Sequence, residues 1–169
     1  QPFTDALSLY AVDLIAHNLV DVYKGTGSKD SWEKITLAST IGGMVINTTG
    51  VTLAHGMEHP ASGLKDVVHG KGLAALTPTI IEDSYQGAPE KFAKLAKLFG
   101  GEKAEDLAGK VRELLEDIEL TCTLSDLGIE EKDIPWMAEN CMKVSAHSIA
   151  NNPVVFSQEE IAEIYKKAL

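Results

Sequence analysis

Apolar residues recur every three or four positions along nearly the whole chain, and nowhere do five or six residues alternate apolar with polar. A strand exposed on one face needs a period of two and a helix one of 3.6, so the pattern favours helices throughout. Leu7, Tyr10, Ala11, Leu14, Ile15 and Leu19 make one stripe and predict a first helix over residues 3–23, ended by Gly25-Thr26-Gly27-Ser28. Asp30 with Glu33 reads as a capping pair for a second helix, which carries Trp32, Ile35, Leu37, Ile41, Met44 and Val45 until Thr48-Thr49-Gly50. Gly42-Gly43 inside it predicts a close helix–helix approach that a bulky substitution should disturb. A short apolar segment over residues 51–58 is expected to break at Pro60 and Gly63. Further helices are expected over 69–81, kinked or cut short by Pro78, over 89–99, over 103–121, and over 133–146 with Pro135 in the first turn. Ser157 and Glu160 form a capping box for the last, up to Ala168. The fold reads as all-α, a single domain of seven or eight helices; with 169 residues, 44% of them hydrophobic, and no polar or Pro/Gly-rich linker, one core is expected.

Charge and motifs exclude several classes of function. Fifteen Lys and Arg against 25 Asp and Glu leave a formal net charge of −10, a surface that repels phosphate backbones, so nucleic acid is not an expected partner. The longest apolar stretches fall well short of the roughly 20 residues a bilayer span needs, and Gln1 to Asp5 show no secretion signal, which predicts a cytoplasmic protein away from the membrane. Cys122 and Cys141 are too few for a disulfide scaffold and lack CxxC spacing, so both are expected as buried thiols. No dinucleotide or P-loop glycine pattern is present, and there is no GxSxG nucleophile elbow. Gln1-Pro2-Phe3-Thr4 already reads as the run into a helix, which suggests that a longer parent chain was cut here.

The histidines carry the chemistry. Three of the five, His55, His59 and His69, fall within fifteen residues. On a helix, His55 and His59 share one face, and His69, past a Pro/Gly-containing bend, opens the next helix so that its ring can fold back toward the pair. Such a group suits zinc or iron(II), ions that want at least three protein ligands or a carboxylate to complete the set; solvated helix-end histidines are the alternative. Asp13 and His17, also four apart, lie off the apolar stripe and read as an ordinary ion pair. His147, beside Ser145 and Ser148, reads as a helix-end residue bonding to terminal carbonyls.

The stretch from Gly50 through His55-Gly56-Met57-Glu58-His59-Pro60, continuing to His69-Gly70-Lys71-Gly72-Leu73-Ala74 and Pro78, resembles the second motif of the iron-containing (group III) alcohol dehydrogenases. Pro2-Phe3-Thr4-Asp5-Ala6-Leu7 resembles the opening of the helix before that motif. Asp133-Ile134-Pro135, Ala138-Glu139-Asn140, Asn152-Pro153 and Glu160-Ile161 resemble the family's C-terminal pattern, so the likeness covers essentially the whole chain. The resemblance implies a two-domain parent: an N-terminal α/β domain that binds NAD or NADP, absent from this chain, and a helical C-terminal domain holding Fe2+ or sometimes Zn2+, to which residues 1–169 correspond.

By the same resemblance His55 and His69 are metal ligands, and His59 is the catalytic histidine between metal and nicotinamide. The family's remaining ligands, an Asp-x3-His pair, belong to a helix upstream of Pro2; Asp13-x3-His17 copies their spacing but aligns with the following helix. The implied reaction is reversible hydride transfer between a small primary alcohol or aldehyde and the nicotinamide, with His59 relaying the proton. The parent is expected to be a homo-oligomer, and the isolated chain to bind metal weakly and turn nothing over. A non-enzymatic helical interaction module that kept the fold is the competing expectation.

Overall fold

The computed structural model describes residues 1–169. Nine α-helices follow one another without a strand: α1 Pro2–Tyr23, α2 Lys29–Thr49, α3 Leu53–Lys65, α4 His69–Ser84, α5 Pro89–Leu98, α6 Asp106–Asp117, α7 Ile134–Val144, α8 Ala146–Ala150 and α9 Gln158–Lys167. Single 3-10 turns lie at Tyr85–Gly87 and Glu131–Asp133. The all-α reading holds. The helices gather into two compact units, residues 1–50 with 90–119 and residues 51–89 with 120–169. Each unit has its own buried apolar cluster, where the sequence was read as building one core. No single helix is long and apolar enough to cross a bilayer.

In the first unit α1 packs on α2 through Ala11, Leu14, Ala38 and Ile41, with Leu7, Ile15 and Val45 against them. Between the two helices the N–H groups of Thr26 and Gly27 both donate to the Asp21 carbonyl, at 2.9 and 2.8 Å. The cap of α2 is Ser28, whose hydroxyl accepts from the Ser31 N–H at 3.1 Å, and not the expected pair Asp30 and Glu33. Those two carboxylates instead meet Lys34 and Lys29 one turn away, in exposed ion pairs. Nothing lies within 4 Å of a Cβ placed on Gly42 or Gly43, so no neighbouring helix requires them, contrary to expectation. α6 starts at Asp106 and not at Lys103, because the Asp106 carboxylate accepts from the Glu102 and Lys103 N–H groups and holds that stretch as a turn. It ends at Asp117, short of the expected Thr121, with Glu119 in the left-handed region at φ 53.

In the second unit α3 runs straight through Pro60 and Gly63, where a break was expected, and stops at Lys65 with Asp66 left-handed at φ 55. Pro60 has no N–H to give the carbonyl four residues back, and its ring crowds the turn before it. That turn is served by side chains from far along the chain. The Ser145 hydroxyl donates to the Gly56 carbonyl at 3.3 Å, and the buried Tyr165 hydroxyl donates to the Met57 carbonyl at 2.5 Å. Ser145 comes so close that a Cβ on Gly56 would sit 3.1 Å from its own. With the polar groups met, Pro60 is buried, and Leu53, Met57 and Ala61 of the same helix join Leu76, Ile80, Met137, Cys141, Ile161 and Ile164 in one core.

α4 likewise continues past Pro78 to Ser84. The helix expected over 133–146 divides: α7 begins after the 3-10 turn, and Ser145 separates it from the five-residue α8. The capping box at Ser157 and Glu160 forms as expected. Cys141 is buried, which pushes its thiol up to about 12, whereas Cys122 is only half-buried, its thiol donating to the Lys71 carbonyl at 3.5 Å; both are free thiols.

Two substitutions test this account by urea denaturation. Gly42→Ala should raise stability by about 0.5–1 kcal/mol, because an open helix interior gains from alanine. Tyr165→Phe should lower it by about 1–2 kcal/mol, the loss of one buried hydrogen bond.

Candidate metal centre

α3 carries His55 and His59 one turn apart, their rings edge-on with centroids 6.1 Å apart. The left-handed Asp66 turns the chain, buried Val67 anchors the connection, and after the exposed Val68 comes His69 as the first residue of α4. Its ring folds back over α3, 5.2 Å from that of His55 and 6.0 Å from that of His59. All three predicted histidines are therefore brought together. The group is open on one side: His55 is half-buried, His59 and His69 exposed.

Beneath them lies a residue the sequence reading passed over. Glu58 is wholly buried. One carboxylate oxygen lies 2.5 Å from His69 Nδ1; the other bonds with the Ser62 hydroxyl, which also reaches the Val67 carbonyl at 2.9 Å. A Cβ on Gly72 would meet Glu58 Cγ at 2.8 Å and Oε1 at 2.9 Å, so the first turn of α4 accommodates this carboxylate because residue 72 has no side chain. Glu58, His59 and His69 each offer a donor atom within 4.8 Å of the others. The only sequence signal was an acid inside an apolar stretch, one helical turn ahead of a serine.

Imidazole nitrogens and a carboxylate form a donor set that fits a borderline divalent ion such as Fe2+ or Zn2+. Burial foremost, then the neighbouring His69 and His59, hold the His55 pKa below its ordinary value against an opposing pull from Glu58, which favours the neutral ring that a ligand must have. The other candidates stay apart from this chemistry. His17 Nδ1 lies 2.9 Å from the Asp13 carbonyl and 3.2 Å from its carboxylate, an exposed pair on α1. His147 Nε2 accepts from the Asn151 amide at 3.2 Å.

A helical chain with this histidine group has clear relatives. Residues 1–169 match the family model for the C-terminal part of the Fe-containing alcohol dehydrogenases. The sequence is 33% identical over 175 residues to the 1,3-propanediol dehydrogenase of Klebsiella pneumoniae, covering 99% of this chain and 45% of that protein. The crystal structure of a 1,3-propanediol oxidoreductase superposes with a TM-score of 0.89 at 35% identity, covering 100% of this chain and 46% of the other. An archaeal halo-thermophilic alcohol dehydrogenase from a Red Sea brine pool gives 0.91 at 30% identity, covering 99% and 45%. The chain belongs to the iron-containing alcohol dehydrogenase family. It spans about half the length of the relatives it matches.

The depressed His55 pKa fixes a sign. Folding favours the neutral ring, so the stability it contributes is present above the unfolded value of about 6.5 and is lost as pH falls through the lower folded value. The urea midpoint of the metal-free chain should fall on acidification from about pH 7 to 5, and His55→Gln should flatten that fall.

Proposed function

We propose that this chain is the metal-holding part of an NAD(P)-linked dehydrogenase that interconverts small primary alcohols and aldehydes. The convergence of His55, His59 and His69 within 5.2 to 6.1 Å carries the reading, because three imidazoles from two helices meet at one open point. A bound Fe2+ or Zn2+ supplies Lewis acidity toward an alcohol oxygen. His55 and His69 are assigned as ligands, the first half-buried in the wall and the second reaching in from the start of α4. His59 is assigned the proton: it is exposed, one turn from His55, and imidazole exchanges protons near neutral pH.

The remaining ligands and the dinucleotide site are assigned to a segment ahead of Pro2, in a full-length enzyme that works as a cytoplasmic homo-oligomer. The relative named as a 1,3-propanediol dehydrogenase supports a short alcohol as substrate. A purely structural helical module would have no use for three clustered imidazoles, which favours the enzyme.

In the full-length enzyme, His69→Ala should remove metal and turnover together, while His59→Ala should keep the metal and slow turnover by about 10²–10⁴-fold. Metal analysis beside steady-state kinetics reads both. The 169-residue chain alone should oxidise no alcohol with NAD or NADP even with added Fe2+ or Zn2+, and the N-terminal segment added back should restore activity. Turnover by the chain alone, or a His69→Ala enzyme with its metal intact, would overturn the assignment.

A further inference from the structure

We propose that Glu58 is a positioning residue: its buried carboxylate takes the Nδ1–H of His69 and so presents Nε2, with its lone pair, as the nitrogen that faces the metal. The proposal rests on the assignment of His69 as a ligand. In the contact with His69, 2.5 Å long, we assign the ring nitrogen as donor and the carboxylate as acceptor, which puts a proton on Nδ1. A neutral imidazole with its proton on Nδ1 has its free lone pair on Nε2. Metal-bound histidines commonly give their second N–H to such an acceptor, which fixes ring orientation and tautomer together.

Three further observations hold Glu58 to this task. It is wholly buried while the His69 side chain is 51% exposed, so the carboxylate supports the ring from the interior side. Its other oxygen is engaged by the Ser62 hydroxyl, one helical turn along α3, and Ser62 also contacts the Val67 carbonyl in the connection that leads to His69. Gly72 is open on the side where the carboxylate lies, and a Cβ there would strike Glu58 Cγ at 2.8 Å. One oxygen is engaged by Ser62 and the other by His69, which favours a supporting role over direct ligation.

The test uses the 169-residue chain, nitrogen-15 labelled at histidine, above the imidazole titration range. Two variants of similar volume are compared with the parent: Glu58→Gln, whose amide oxygen still accepts from Nδ1–H, and Glu58→Met, which accepts nothing. Amide spectra of matching dispersion establish that each is folded. Without metal, His69 should be in the Nδ1–H tautomer in the parent and in Glu58→Gln, and should shift toward Nε2–H in Glu58→Met. Zn2+ affinity should fall about 10–100-fold in Glu58→Met and be largely kept in Glu58→Gln.

An Nε2–H tautomer in the parent, or an unchanged tautomer in Glu58→Met, overturns the proposal. So does a Glu58→Gln variant that loses zinc as fully as Glu58→Met with His69 still in the Nδ1–H form, which would make Glu58 a direct ligand. Failure of the ligand assignment reads differently: zinc affinity would then be unchanged by His55→Ala and by His69→Ala, whatever the tautomer.

Discussion

Pro60 sits within α3 with no amide hydrogen to give, and the second unit is arranged around how that loss is made good. A proline at this position leaves the Gly56 carbonyl without its ordinary helical donor and loosens the preceding turn. The donors that serve it, Ser145 and Tyr165, stand 89 and 108 residues away along the chain from the carbonyls they meet. α3 is thereby tied to the C-terminal helices through its weakest turn, the one that also bears His55, Glu58 and His59. Each bond is worth about 1 kcal/mol, less than the roughly 1.5–3 kcal/mol from burying Leu53 or Met57, so the polar contacts set register while the apolar ones set stability.

Glu58 answers a second demand. α4 begins with no side-chain cap and no acidic residue in its first turn, and the positive end of its dipole would otherwise face the histidines unopposed. The Glu58 carboxylate, pressed against Gly72 and bonded to His69, brings hydrogen-bond acceptors to that end from a neighbouring helix. Burying a carboxylate is costly unless it is hydrogen-bonded, and here both oxygens have partners. The same group thus settles the helix end and the ring that stands on it.

What could be read from the sequence depended on the range of the interaction. The helical period and the Ser157 capping box depend on neighbours three and four residues apart, and both stood in the structure as expected, although Trp32, Leu37 and Met44 of the stripe read for α2 are exposed. The gathering of His55, His59 and His69 was legible for the same reason, since one turn and a short connection join them. The passage of α3 through Pro60 was not, because its compensation comes from Ser145 and Tyr165. Nor was the burial of Glu58: an acid looks solvated until Ser62, His69 and the bare Gly72 are seen around it. Gly42-Gly43 misled in the opposite direction, since glycine pairs suggest close packing and these two touch nothing.

The left-handed Asp66 and buried Val67 give the spacing between His59 and His69 a mechanical meaning. The connection acts as a fixed-length link between two rods, and His69 sits on the very end of the second rod, where it has no slack. One residue added or removed inside α4 leaves His69 at the helix start but turns the remainder of that helix by about 100° around its axis, which takes Leu76 and Ile80 away from the core. One residue added or removed between Asp66 and Val68 changes the ring that meets α3 altogether. A change of length is therefore felt on both sides of His69, ahead of it in which ring meets α3 and beyond it in whether Gly72 still faces Glu58 and Leu76 still faces the core.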